Sequence, residues 1–85
     1  MTVYVYVLWS ESVKQFYVGI TKSMAKRLRQ HNSGQSGWTR NKGPWVEVMA
    51  EGYQDYKSAR RRETFLKSGA GREWLQSVYA GYRNV

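Results

Sequence analysis

The chain has 85 residues, with 14 Lys and Arg against 6 Asp and Glu, one His, no Cys and a formal net charge of +8. This length holds one modest core and no second domain, so residues 1–85 are expected to form a single unit. The absence of Cys excludes disulfides, iron–sulfur clusters and thiolate zinc sites, a lone His excludes a multi-histidine centre, and any metal must be a hard, oxygen-bound ion.

Leu, Ile and Phe are scarce, but four Trp and seven Tyr supply the apolar area a core needs. Met1-Thr2-Val3-Tyr4 carries neither a positive leader nor a long apolar run, so we expect no signal peptide, no membrane span and a cytoplasmic location. The positive excess points to polyanions, nucleic acid first and anionic membrane second.

From Thr2 to Trp9, Val3, Val5 and Val7 alternate with Tyr4, Tyr6 and Leu8, the period of a strand. A polar stretch, Ser10 to Gln15, separates it from a second β-forming run, Phe16 to Ile20, which predicts a hairpin that brings Tyr6 and Tyr17 to one face. Thr21 or Ser23 can cap a helix from Met24 to Asn32, on which Arg27 and His31 stack at i, i+4, and Ser33 to Gly37 ends it. Trp38 to Pro44 reads as a basic loop. Trp45 to Glu51 is a third strand, with Val46, Val48 and Ala50 on one face.

Ser58 caps a helix to about Lys67, with Ala59, Arg62, Glu63 and Leu66 inward. Ser68-Gly69-Ala70-Gly71 breaks it, and Arg72 to Tyr79 forms a last helix with Trp74, Leu75 and Val78 inward. The order β-β-α-β-α-α, with one hairpin and a small sheet covered by helices, is a compact α/β sandwich.

Of the six acids, Glu63 alone falls on an inward helix stripe, beside Arg60, Arg61 and Arg62. It is either a metal ligand or a carboxylate held by arginines on a solvated face. Tyr4, Tyr6 and Tyr17 are either site residues or simply β-favouring aromatics, and Arg27 with His31 either a site or a solvated helix face. Ser68 to Gly71 before Arg72 could offer backbone N–H groups to a phosphate, but a helix stop explains it equally.

In order, Tyr4-Val5-Tyr6, Tyr17-Val18-Gly19, Arg27 with His31, and Glu63 resemble the GIY-YIG nuclease superfamily. Phe16 to Thr21, Arg27 to Asn32 and Lys67 to Glu73 resemble its small single-domain bacterial branch, related to the N-terminal domain of the excinuclease C subunit. The resemblance covers nearly the whole chain, and the ordered set is far more specific than any one motif. It implies a small three-stranded antiparallel sheet flanked by helices and a Mg²⁺- or Mn²⁺-dependent endonuclease acting on DNA. The implied site residues are Tyr6 and Tyr17 as the motif tyrosines, Arg27, His31 one turn on, and Glu63 as metal ligand. Tyr4 stands where the motif name has Gly, Ile20 where some relatives have Lys, and the only Asn after Glu63 is Asn84.

Phosphodiester hydrolysis needs an activated water, charge stabilisation on the phosphate and help for the leaving oxygen. Arg27 cannot act as a base, and its fork suits the scissile phosphate. Tyr17 serves as base only where cations such as Lys22, Arg27 or the metal favour its phenolate, and Tyr6 positions water or phosphate. Substrate grip is expected from Lys22, Arg40, Lys42, Arg60, Arg61, Lys67 and Arg72, with Trp38 and Trp45 as stacking platforms. None of these carries a base code, so a structure-selective or non-specific nuclease, in DNA repair or recombination, is the reading. A catalytically inactive nucleic-acid-binding module of the same fold is the alternative. A peripheral membrane protein is disfavoured by the narrow apolar face of the first helix.

Overall fold

The computed structural model describes residues 2–34 and 37–79. Met1, Asn84 and, from the stretch expected to end the first helix, Gln35 and Ser36 lie outside the described residues. The elements are β1 (Val3–Ser10), β2 (Gln15–Thr21), α1 (Met24–Asn32), β3 (Trp45–Tyr53), α2 (Tyr56–Lys67) and α3 (Gly69–Val78). The strands form one antiparallel sheet in the order β2-β1-β3. The fold is the α/β architecture that the sequence order suggested.

β1 is the central strand, and that position explains why both its alternating faces are apolar. Val3, Val5 and Val7 pack with Val18 against Ala59, Leu66 and Leu75 of α2 and α3. On the opposite face Tyr6 and Leu8 pack with Trp45, Tyr17, Met24 and Leu28. The sheet is therefore a middle layer, with α1 on one side and α2 and α3 on the other. The β1–β2 hairpin closes through residues 11–14, with Lys14 in the left-handed region at φ 56°.

Four expectations about local structure are corrected. A bulge opposite Val7 and Leu8 interrupts the pairing of β3, so Val46, Val48 and Ala50 do not share a face: Val46 pairs with Trp9 and Ala50 with Tyr6. α2 begins two residues before Ser58, because Asp55 is the cap and its carboxylate accepts from the Ser58 N–H at 2.8 Å. The break after Lys67 is a single residue, and α3 begins at Gly69 rather than Arg72: Ser68 ends α2 and caps α3, accepting from the Gly71 N–H at 3.2 Å. A Cβ on Gly71 would lie 1.9 Å from the Phe65 carbonyl oxygen, so this glycine lets the two helices cross closely. Val78, expected inward, is exposed.

Candidate nuclease site

Alternation along β1 sends Tyr6 to the α1 side of the sheet, and antiparallel pairing puts Tyr17 opposite Leu8 on that side. The Tyr6 and Tyr17 rings stand 6.2 Å apart. On α1 the i, i+4 spacing turns Arg27 and His31 toward these rings. His31 is fully buried, with its ring 4.7 Å from that of Tyr17. The solvated-face reading of His31 is thereby removed.

A line of polar contacts runs through this layer. Arg27 Nε donates to the Tyr6 hydroxyl at 3.2 Å, and the Tyr6 oxygen lies 2.9 Å from His31 Nε2. His31 Nδ1 lies 2.6 Å from Thr39 Oγ1. Arg27 also donates through Nη1 to Gln30 Oε1 at 3.0 Å, and the neighbouring Tyr17 phenol favours its charged form. Burial pushes the Tyr6 phenol up to about 12 against the opposing pull of the Arg27 hydrogen bond, with Tyr17 and the Glu63 charge adding to the rise. Burial, then the Arg27 charge, pushes His31 down to about 4, so its imidazole is neutral at neutral pH.

The site is layered. Tyr6, His31 and Thr39 are buried, with Tyr6 1 % exposed, whereas Tyr17 and Arg27 keep surface in contact with solvent, and Glu63, on α2 across the sheet from α1, bears on Tyr6 through its charge. In this arrangement the Tyr6 hydroxyl is in contact with the guanidinium. Glu63 sits on α2 with its side chain 15 % exposed, 3.1 Å from Lys67 and 3.9 Å from Arg60. Both cations are largely solvated and free to swing aside.

No cluster of three His, Asp or Glu side chains is present among the described residues. Glu63 offers a single carboxylate, a hard oxygen donor of the class a divalent cation accepts when water and phosphate fill its other positions.

The cations and aromatics expected to grip substrate divide into groups. A groove of about 450 Å³ runs along the edge strand β2 and brings Trp38 and Tyr17 together with Lys14, Lys67 and Arg72. Trp38 is 49 % exposed at its rim, with Lys42 Nζ 3.8 Å over its ring. Arg40 is exposed on the following loop, and Lys22 lies 5.6 Å over the Tyr56 ring. Arg60 and Arg61 line a separate shallow surface of α2 with Lys57 and Thr64.

Trp45 is a correction: it is 1 % exposed and cannot serve as a stacking platform. Its backbone N–H donates to Asn32 Oδ1 at 2.6 Å, its carbonyl accepts from Asn32 Nδ2 at 3.0 Å, and its indole N–H donates to the Thr39 carbonyl at 3.2 Å. Thr39 and Asn32 were not singled out in the sequence. Asn32 at the end of α1 was a weak signal, since a side-chain amide there commonly bonds nearby backbone, whereas its partner here, Trp45, lies 13 residues on. Thr39 left none.

Residues 2–75 match the family described as the GIY-YIG catalytic domain. A UPF0213 protein of Clostridium perfringens is 32% identical over 76 residues, covering 88% of this chain and 81% of that protein. Another, from Syntrophus aciditrophicus, is 35% identical over 77 residues, covering 88% and 87% respectively. The solution structure of a UPF0213 protein from Bacillus halodurans superposes with a TM-score of 0.57 at 32% identity, covering 99% of this chain and 93% of that one. With the motif tyrosines, Arg27 and Glu63 on elements in the matched order over residues 2–75, the chain belongs to the GIY-YIG family.

Proposed function

We propose that this protein is a divalent-metal-dependent endonuclease that hydrolyses phosphodiester bonds in DNA, structure-selective or non-specific, in the cytoplasm and in the service of DNA repair or recombination. The observation that carries the reading is Arg27: a guanidinium that is held by Tyr6 and Gln30 and still reaches solvent. A cation fixed in this way is oriented before substrate arrives, and the forked guanidinium matches two phosphate oxygens.

Tyr17 occupies the solvent-facing rank beside Arg27; having given its own phenolic proton to bulk water, it takes the proton of the attacking water and returns to the neutral phenol. The guanidinium next to it offsets the negative charge that its oxygen carries once its own proton has gone. Tyr6 and His31 hold Arg27 in place from behind. Glu63 would hold Mg²⁺ or Mn²⁺, which supplies charge neutralisation at the phosphate and the leaving oxygen. The groove along β2 guides the backbone past Tyr17 through Lys67 and Arg72, and the exposed Trp38 rim offers a surface to an unpaired base.

The test is incubation of purified protein with a panel of branched, nicked, duplex and single-stranded DNAs, and matching RNAs, with and without Mn²⁺. Metal-dependent cleavage of DNA, reduced about 10²-fold or more in a folded Arg27→Ala variant, is the expected result. DNA binding without cleavage of any substrate would identify a binding module instead, and cleavage confined to RNA would overturn the substrate.

A further inference from the structure

The Tyr6 oxygen has two polar partners of different kinds. Arg27 Nε can only donate, so the phenolic proton lies toward the other, His31 Nε2, which must accept it. A neutral imidazole that accepts at Nε2 carries its proton on Nδ1, and Nδ1 faces Thr39 Oγ1 at 2.6 Å. The donors then run in one direction, from Arg27 to Tyr6 to His31 to Thr39. No buried side-chain nitrogen or oxygen among the described residues is left without a partner. With the opposite tautomer, Arg27 and Nε2–H would both donate to the Tyr6 oxygen and the phenolic proton would have no acceptor.

We propose that Thr39 is a positioning residue, whose Oγ1 accepts the Nδ1 proton of His31 and fixes the tautomer that takes the Tyr6 proton, so that the Tyr6 oxygen is presented to Arg27. The effect on cleavage rests on the nuclease reading above; the effect on the imidazole does not.

Thr39 is built to be immobile. Its side chain is fully buried, and its carbonyl accepts from the Trp45 indole and from the Lys42 N–H at 3.2 Å. Trp45 is itself clamped by Asn32, the residue after His31, so α1, the basic loop and β3 are tied to one point. The charged and titratable groups around the imidazole are Arg27 on its own helix, Tyr6 on β1 and Tyr17 on β2, with the Glu63 charge felt at Tyr6 from α2. None of these is placed to accept at Nδ1.

Because the chain has one His, its ring nitrogens can be read by ¹⁵N NMR without ambiguity. At pH 7 the wild-type protein is expected to show a protonated Nδ1 and an accepting Nε2. Thr39→Val, which keeps the shape and removes Oγ1, should shift the proton toward Nε2; Thr39→Ser should not. On plasmid DNA with Mn²⁺, Thr39→Val should lower kcat by about 10- to 100-fold with little change in KM, and Thr39→Ser should restore most of it. A wild-type Nε2–H tautomer overturns the proposal even if Thr39→Val fails to fold. So does a Thr39→Val protein with the wild-type tautomer and rate, or a Thr39→Ser protein as impaired as Thr39→Val, which would assign the effect to the methyl group. The tautomer readout needs no cleavage. A protein that cuts nothing but shows the predicted tautomer shift refutes the nuclease reading and leaves the role of Thr39 standing.

Discussion

The Tyr6 ring lies over Gly19 on the neighbouring strand, so close that a Cβ at Gly19 would stand 2.5 Å from the phenolic oxygen and 2.7 Å from Cζ. The hydroxyl is already held by Arg27 and His31, so the ring cannot move without breaking those contacts. Gly19→Ala is therefore expected to displace Tyr6. Overpacking of this kind costs about 1–3 kcal/mol, and Arg27 loses its support at the same time. Urea unfolding and plasmid nicking should both show the loss; wild-type stability with wild-type nicking would show that the ring has room.

The two tryptophans that flank the basic loop should separate cleanly. Trp45→Ala removes a buried indole and its hydrogen bond to the Thr39 carbonyl, at a cost of about 3–5 kcal/mol. Trp38→Ala, at a half-exposed rim, should change stability by under about 1 kcal/mol and weaken binding to single-stranded DNA. Urea titrations beside a fluorescence-anisotropy assay make the comparison, and equal destabilisation by the two changes would contradict it.

Glu63→Gln keeps shape and hydrogen bonding but removes the charge that a hard divalent ion requires. Retained DNA binding with loss of Mn²⁺ binding and of cleavage is the expected outcome, read by calorimetric Mn²⁺ titration and nicking. If Glu63 served only as a partner of Lys67 and Arg60, the change would alter stability by less than about 1 kcal/mol and leave metal affinity and nicking as they were.

His31 gives the fold a defined acid sensitivity. Its imidazole is held down to about 4 in the folded protein against 6.5 as the ordinary value. Between those values the unfolded chain binds a proton that the folded chain does not, so stability falls as pH falls through that window, by roughly 3 kcal/mol in full. Glu11, held below the usual carboxylate range by Lys14, and Asp55, held there by the Ser58 N–H, lose their contributions only at lower pH. Urea unfolding at pH 7 and pH 5 should thus show a drop that His31→Gln abolishes. A flat profile between these pH values in the wild-type protein would remove the buried neutral imidazole.

The net charge of +8 predicts strong salt dependence of DNA binding. With several phosphates contacted, affinity should fall by ~10³ between low and physiological salt. Removing Lys67 and Arg72, which line the groove along β2, should flatten the slope more than removing Arg60 and Arg61 on the outer surface of α2. Indifference to salt would exclude electrostatic binding.

The order of elements, the face that Tyr6 and Tyr17 share, and the pairing of Arg27 with His31 were legible in the residues alone. These follow from local periodicities of two and 3.6, which a single chain segment carries in full. The absence of thiolate and multi-histidine chemistry was legible there too, because composition alone decides that. The tertiary structure decided which members of the set face solvent: Tyr6 and His31 lie behind Arg27, a distinction that depends on what α1 and the basic loop cover. It decided that Trp45 is core and Trp38 is surface, although both flank the same loop, since burial depends on Asn32 and Thr39 arriving from elsewhere in the chain. The bulge in β3 and the tight α2–α3 crossing at Gly71 had the same origin, a packing requirement set by partners distant in sequence. Thr39 belongs to this second class: a small hydroxyl in a polar loop has no periodicity to announce it, and only the buried Nδ1 of His31 gives it a task.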